Sequence, residues 1–285
     1  MKRKIIAILL LLTAALNLCG FKRVCKNSSF SIEFIDVGQG DCALVECDGH
    51  YMLIDGGDKS AGDRVYEVLE KKRVNHLDIL AISHLHSDHI GGLSKALSYA
   101  SKIDLAISNS DEPDSGGSEA FRELANQLRI NGSKLTVPKE GDEFQLGSAV
   151  VEVVDVSSEE DNDSLVLLIT YGKTRFLFTG DIEESAQRRI SEKYWNEDDE
   201  PFEINVMKMP HHGAYTATLY RFLRTFMPDT VVISVGEDNR YGHPKEKTLD
   251  LLNSKTWHPE VYRTDKDGDV IVKSNGKRVS VKTSK

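Results

Sequence analysis

The apolar positions of this chain fall in short runs separated by turn residues along most of its length. Residues 30–37 alternate between apolar and polar side chains, which predicts a strand. Residues 42–47 and 51–54 predict a hairpin around an Asp-Gly pair, and residues 77–82 predict a buried strand. The opening third of the chain therefore has the pattern of a sheet-forming domain.

Helical spacing appears between these strands, as in residues 63–73, where Val65, Val68 and Leu69 share one side. Further helices are predicted at 90–100, 118–130, 183–194, 216–226 and 244–253. Further strands are predicted at 103–107, 135–137, 149–154, 165–170, 175–178, 204–209, 230–235, 261–263, 269–273 and 278–281. Since strands and helices are mixed throughout, residues 30–285 are predicted to form one α/β domain.

The N-terminal region departs from this pattern. Residues 1–4 are basic after the initial Met, and an almost wholly apolar run then extends to Leu18. This order is typical of a secretory signal, and the run is shorter than the roughly 20 residues that a membrane-spanning helix needs. We therefore predict a signal or lipoprotein leader at 1–20 and a tether at 21–29.

The leader predicts export, to the extracellular space or to the outer face of the bacterial cell membrane. Cys19 is a candidate lipid anchor because the residues before it resemble a lipobox, although Leu18 stands where a small residue is expected. Membrane contact is expected only through the leader or this lipid. Cys42 and Cys47 are compatible with a disulfide or with two buried free thiols.

The formal net charge is −9, with a pI near 5.5. This acidity argues against a protein that coats nucleic acid non-specifically, because phosphate binding needs clustered Lys and Arg. It does not exclude a nuclease, since a bound divalent metal can invert the local field.

The segment with the most chemical information follows the predicted strand at 77–82. It contains His84, His86, Asp88 and His89, four potential metal ligands within six residues on one loop. Imidazole and carboxylate suit zinc, manganese or iron, and burying four such groups without a metal would be costly. Histidines without such neighbours are expected to be structural or surface residues: His50, His76 and His258.

Three more polar loops follow predicted strands. Asp181 ends a Thr-Gly-Asp turn, where a carboxylate can bridge two metals, and His211 and His212 lie in a Pro-His-His-Gly turn. Asp55 occupies a similar position after an earlier strand. Ligand types gathered from the ends of several strands indicate an active site, because only the fold brings them together.

These motifs resemble the metallo-β-lactamase superfamily and, within it, ComEC-like hydrolase domains. The matching stretches occur in the order of the family at 34–41, 54–57, 83–92, 176–181 and 210–213, and they extend through 241–244 and 262–268. The resemblance covers about residues 30–281. It implies a four-layer αββα sandwich, with two mixed β-sheets flanked by helices and a metal site along one edge.

We assign one or two divalent metal ions, zinc or manganese, to this site. The metal ligands that we predict are His84, His86, Asp88, His89, Asp181 and His211. Asp55 is predicted to orient a ligand imidazole through its far nitrogen. Many superfamily members carry a further ligand His at a position where this chain has Asn162 and Asp163, so these two are candidates to approach the first metal.

The chemistry implied is hydrolysis by a metal-bound hydroxide, with Asp88 taking part and with His212 or His243 contacting the scissile group or protonating the leaving oxygen. The resemblance implies a phosphodiesterase or nuclease of ComEC-like type, acting on a small-molecule or nucleic-acid phosphodiester. No protein partner is evident. Two alternatives stay open: a lactam, lactone or thioester hydrolase, and a non-catalytic binding module that the metal stabilises.

Overall fold

The computed structural model describes residues 29–112, 118–157, 163–195, 200–254 and 257–285. The predicted leader at 1–20, most of the tether, Cys19 and Asn162 lie outside the described residues. Among the helices that are described, none is both long enough and apolar enough to cross a membrane.

The described residues form strands β1 to β15, in chain order Phe30–Phe34, Ala43–Cys47, His50–Ile54, His76–Ile82, Lys102–Ser108, Leu135–Thr136, Glu143–Leu146, Ala149–Asp155, Val166–Tyr171, Thr174–Phe178, Val206–Lys208, Thr230–Ile233, Glu260–Arg263, Val270–Ser274 and Val279–Thr283. Sheet one has the order β15-β14-β1-β2-β3-β4-β5-β6, and sheet two has the order β13-β12-β11-β10-β9-β8-β7. Each sheet contains both parallel and antiparallel pairs, so both are mixed.

The helices of the described residues are α1 to α8, in chain order Gly62–Lys72, Ser87–Ile90, Leu93–Ala96, Glu119–Ile130, Glu184–Tyr194, Tyr220–Phe226, Glu246–Leu252 and Thr264–Asp267. Short 3-10 turns occupy Lys59–Ala61 and Pro210–Gly213. Helix α4 begins as its sequence predicts, because the Ser118 side chain accepts a hydrogen bond from the Phe121 backbone N–H.

Three apolar clusters show how these elements stack. One lies between the two sheets, where the Phe30 ring stacks on Tyr171 and on Phe176, in each case with ring centroids 4.8 Å apart. The second joins sheet one to helices α1, α3 and α4, and the third joins sheet two to helices α5, α6 and α7. The predicted four-layer αββα sandwich is confirmed.

Local structure departs from the sequence pattern at a few points. The single helix predicted at 90–100 is wrong: helices α2 and α3 replace it and are separated at Gly91-Gly92. A Cβ atom at Gly92 would overlap the carbonyl oxygen of Gly56, so the backbones approach too closely there for a side chain. The short strand β7 and the helix α8 were not predicted, because neither has enough residues for a periodic pattern.

The carboxyl ends of parallel strands collect the polar loops at one edge of the sandwich. In sheet one, Asp55 follows β3 and the loop with His84 follows β4. In sheet two, Asp181 follows β10, and the 3-10 turn at Pro210–Gly213 follows β11. A hydrogen bond of 2.7 Å from the Leu165 N–H to the Ser83 carbonyl joins the two sheets at this edge.

The cysteines in the described part of the chain lie inside the core. Cys42 and Cys47 are both buried free thiols. Burial raises the pKa of both groups, so each behaves as a small apolar side chain.

Candidate metal centre

Four side chains from both sheets converge at this edge. They are Asp88, His89, Asp181 and His212, and one potential ligand atom from each lies within 4.8 Å of the others. His89 Nε2 is 3.3 Å from Asp181 Oδ2. His212 Nε2 is 3.4 Å from Asp88 Oδ2 and 3.4 Å from Asp181 Oδ2. Imidazole and carboxylate donors at these separations can close around one ion.

The far nitrogens of both imidazoles are already occupied. His89 Nδ1 is 3.0 Å from Asp55 Oδ2, and His212 Nδ1 is 2.9 Å from the Ser234 carbonyl oxygen. An acceptor at Nδ1 favours a proton there, which leaves the lone pair of Nε2 for a metal. Both Nε2 atoms are buried, and neither finds a hydrogen-bond partner among the residues that the structure describes. The centre therefore fits a divalent metal.

Electrostatics supports the same conclusion. Burial alone would lower the pKa of each imidazole, but the carboxylates around them have the larger combined effect. Asp181 and Asp55 raise the pKa of His89 well above its usual value, and Asp181 and Asp41 raise the pKa of His212 to about 9. The carboxylates thus favour positive charge at this position, and a divalent cation would supply it.

The remaining predicted ligands lie around this group. His84 Nε2 is 3.0 Å from His86 Nδ1, and the two rings meet edge to face. His84 Nδ1 is 3.1 Å from Ser83 Oγ, and burial lowers the pKa of His84 well below its usual value. His84 and His86 are therefore placed to extend the donor group from the same loop.

His211 and His212 occupy different positions, although they are adjacent in sequence. Both have left-handed backbone, with φ of 45° and 53°. His211 Nε2 is 3.8 Å from Asp181 Oδ2, and its Nδ1 is 3.2 Å from Glu183 Oε1. The sequence assigned His211 to the metal and His212 to the chemistry, whereas the four-donor group contains His212, with His211 beside it.

The loop before β9 contacts the metal centre through Ser164, and not through the predicted Asp163. The Asp163 carboxylate accepts a hydrogen bond from Ser157 Oγ at 2.6 Å and lies 3.7 Å from Arg189. Its neighbour Ser164 is the one that faces the ligands: its Oγ accepts the Asp181 N–H at 3.0 Å. A small hydroxyl gives no recognisable signal in one sequence.

Lys208 and Asp41 were also missed. Lys208 is 3% exposed, and its ammonium contacts the Asp41 carboxylate, donates to the Gly180 carbonyl at 3.0 Å and lies 3.4 Å from Asp181 Oδ1. Burial lowers the pKa of Lys208, but the two carboxylates raise it above its usual value overall. A signal did exist, because a lysine inside an apolar strand is rarely buried without a charged partner.

His243 lies at the rim of the centre. Its ring centroid is 5.7 Å from that of His211, and its Nδ1 finds no hydrogen-bond partner in the described part of the chain. Burial, together with His211 and His212, lowers the pKa of His243 to about 4. The imidazole is therefore neutral at pH 7, with one N–H to donate.

Comparisons with known proteins agree with this geometry. Residues 35–237 match the family model of the metallo-beta-lactamase superfamily. The chain is 29% identical over 269 residues to ComE operon protein 3 of Bacillus subtilis (strain 168), which covers 86% of this chain and 33% of that protein. It is 28% identical over 265 residues to competence protein ComA of Neisseria gonorrhoeae, which covers 90% of this chain and 34% of that protein.

A solved structure with the same fold is that of YhfI from Bacillus subtilis, a metallo-beta-lactamase fold protein. Its TM-score is 0.56 at 13% identity, over 86% of this chain and 100% of that one. The chain spans about a third of the length of the two curated relatives. Because the family model matches most of its length, the chain belongs to the metallo-beta-lactamase superfamily.

Proposed function

We propose that this chain is a metal-dependent phosphodiesterase or nuclease that uses zinc or manganese. The observation that carries the proposal is the pair of buried Nε2 atoms of His89 and His212, which face the carboxylates of Asp88 and Asp181 without hydrogen-bond partners. When bound, the metal supplies a Lewis acid that activates water and neutralises charge on phosphoryl oxygens. The resemblance of the motifs at 34–41, 83–92 and 210–213 to ComEC-like hydrolase domains favours a phosphodiester over an acyl substrate.

The protein's own residues have separable roles in this reaction. Asp55 and the Ser234 carbonyl hold the imidazoles of His89 and His212 in the tautomer that a metal requires. The Lys208 ammonium neutralises negative charge on the carboxylates of Asp41 and Asp181. His243, neutral and half-exposed at the rim, is placed to donate its N–H to an oxygen of the substrate.

The test compares the wild-type protein with Asp181→Ala and with His258→Ala, a control at an exposed position. Bound metal is measured by elemental analysis, and hydrolysis is measured on a phosphodiester reporter, single-stranded DNA, a lactam and a lactone. We expect Asp181→Ala to lose metal and phosphodiester hydrolysis, and His258→Ala to keep both. Turnover of the lactam or lactone alone would replace the phosphodiesterase proposal with acyl hydrolysis.

We also propose that residues 1–20 direct export and place the protein on the outer side of the cell membrane. Support comes from the basic residues followed by the apolar run. Mass analysis of the mature N-terminus would distinguish an acylated Cys19 from a free cleaved end. Full-length protein in the cytosolic fraction would contradict the proposal.

A further inference from the structure

Exposed aromatic residues are concentrated beside the metal centre. Among the described residues, five large hydrophobic side chains are exposed, and three of them are tyrosines: Tyr215, Tyr220 and Tyr241, at 50%, 52% and 45% exposure. Tyr215 comes two residues after the 3-10 turn at Pro210–Gly213, and Tyr241 comes two residues before His243. Two of the three tyrosines therefore lie on the segments that hold site histidines.

A positively charged side chain lies over the ring of each of these two tyrosines. Lys247 Nζ lies 4.5 Å from the ring centroid of Tyr215, and Arg240 Cζ lies 4.8 Å from that of Tyr241. Tyr220 is equally exposed, but no cation lies over its ring in the described part of the chain. We call Tyr215, Arg240, Tyr241 and Lys247 the tyrosine platform.

The platform is continuous with the metal centre. The Tyr241 ring stacks on His243, with centroids 5.8 Å apart and planes at 22°, and His243 in turn meets His211 edge to face. The hydrogen bond of Arg240 to Tyr241 raises the pKa of the guanidinium, and the Asp88 carboxylate also contributes to that rise. Arg240 therefore lies close enough to Asp88, a candidate metal ligand, for the two charges to interact.

A backbone contact holds the two halves of the platform together. The Lys245 N–H donates to the Gly213 carbonyl at 3.0 Å, which joins the loop of Tyr241 to the turn before Tyr215. Thr218 and Thr248 add a side-chain contact of 3.1 Å between the same two segments. The tyrosines are thus presented from a fixed surface.

Exposed tyrosines with arginine and lysine suit one kind of ligand. Unpaired bases stack on aromatic rings and on guanidinium planes, whereas the bases of a duplex have no free face. Residues 237–247 contain as many acidic as basic side chains, so this stretch has no excess positive charge. The basic residues are Arg240, Lys245 and Lys247, and the acidic residues are Glu237, Asp238 and Glu246. Stacking, rather than net charge, must therefore supply most of the affinity.

Building on the phosphodiesterase function proposed above, we propose that the tyrosine platform binds unpaired bases of a single-stranded nucleic acid and leads its phosphodiester chain into the metal centre. The strand would lie across Tyr215 and Tyr241, with its phosphates near Arg240 and Lys247. Selection between single-stranded and duplex substrates would then depend on this surface rather than on the metal ligands.

The test measures binding separately from hydrolysis. Fluorescence anisotropy is recorded with a labelled oligothymidylate of about 12 nucleotides and with a duplex of equal length, on the metal-free full chain. We expect the single strand to bind more tightly than the duplex. Tyr215→Ala and Tyr241→Ala should each weaken binding of the single strand by about 5-fold or more, since a stacked base contributes roughly that much.

Matched variants make the result specific. Tyr215→Phe keeps the aromatic face and should keep the affinity, and Tyr220→Ala should bind as the wild type does. Equal affinity of Tyr215→Ala and Tyr220→Ala, or tighter binding of the duplex, would overturn the platform. Hydrolysis of a small phosphodiester reporter is measured in parallel: a wild-type protein that binds the strand through its tyrosines but cleaves no phosphodiester would support the platform and refute the phosphodiesterase.

Discussion

Lys208 Nζ lies 3.4 Å from Asp181 Oδ1, and both side chains are only 3% exposed. The other carboxylate oxygen of Asp181, Oδ2, faces the histidines, at 3.3 Å from His89 and 3.4 Å from His212. The two oxygens of this carboxylate therefore have different partners. Oδ2 is therefore the oxygen of Asp181 that would hold a metal together with His89 and His212.

Replacing Lys208 by Met should strongly destabilise the metal-free protein. The buried carboxylates of Asp41 and Asp181 would keep His212 nearby but would lose the Lys208 ammonium, and breaking a buried ion pair in this way costs about 3–5 kcal/mol. Urea unfolding in the presence of a chelator measures the loss. Added divalent metal should restore part of the stability, since it supplies positive charge to the same carboxylates.

The control for this prediction is Lys95→Met. Lys95 pairs with Asp63 at 3.2 Å, but the side chains are 52% and 82% exposed, so the loss should stay below about 1 kcal/mol. Similar losses in Lys95→Met and Lys208→Met would show that the buried lysine has no special electrostatic role.

Asp55→Asn should weaken metal binding without removing a metal ligand. The Asp55 carboxylate accepts from Ser83 Oγ at 2.7 Å and lies 3.0 Å from His89 Nδ1. An amide NH₂ turned towards Nδ1 would favour the opposite tautomer and place the proton on Nε2. Loss of such an orienting carboxylate lowers metal affinity by about 10–100-fold. Competition with a chromophoric chelator measures the change.

Asp104→Asn is the matched variant, because Asp104 also pairs with a histidine, His76, at 2.8 Å, but on the surface. Its metal affinity should equal that of the wild type. If the metal affinity of Asp55→Asn were also unchanged, Asp55 would not be needed to orient His89.

His211→Ala and His212→Ala should differ in bound metal. His212 belongs to the four-donor group, whereas His211 Nε2 stands 3.8 Å from Asp181 Oδ2 and pairs with Glu183. We expect the greater loss of metal in His212→Ala, as measured by elemental analysis after dialysis. The reverse order would restore the assignment that the sequence alone suggested, with His211 as the ligand.

Asp78→Asn should cost about 1 kcal/mol of stability near pH 7. Asp78 accepts the Tyr51 N–H at 2.8 Å and lies 2.6 Å from His50 Nδ1. Burial raises the pKa of Asp78, but these two partners lower it below 3.8 overall. The stabilisation is therefore fully present above pH 3.8 and is lost as the pH falls through the lower folded-state pKa.

Urea unfolding of Asp78→Asn and of the wild type, from pH 7 down to about pH 3, tests this dependence. The two free energies of unfolding should converge at the acid end of the series. A difference that stays constant over the whole range would mean that the carboxylate charge contributes nothing.

The pattern of short apolar strands and intervening helices predicted one α/β domain, and the resemblance to the metallo-β-lactamase superfamily implied its four layers. The sequence also predicted the His84–His89 loop, since ligands that are close in sequence form a visible pattern. It could not show which of His211 and His212 points inward, because that depends on two consecutive left-handed residues. Lys208 and Ser164 escaped notice because their contacts with Asp181 join segments that are separated in the sequence and meet only in the folded sheet.

The four-donor group takes Asp88 and His89 from sheet one, and Asp181 and His212 from sheet two. A partly folded chain with one sheet formed would offer only half of these ligands and would bind metal weakly. The metal should therefore act late in folding, and its main kinetic effect should be slower unfolding rather than faster folding. Metal occupancy would thus set how long the native protein survives a protease.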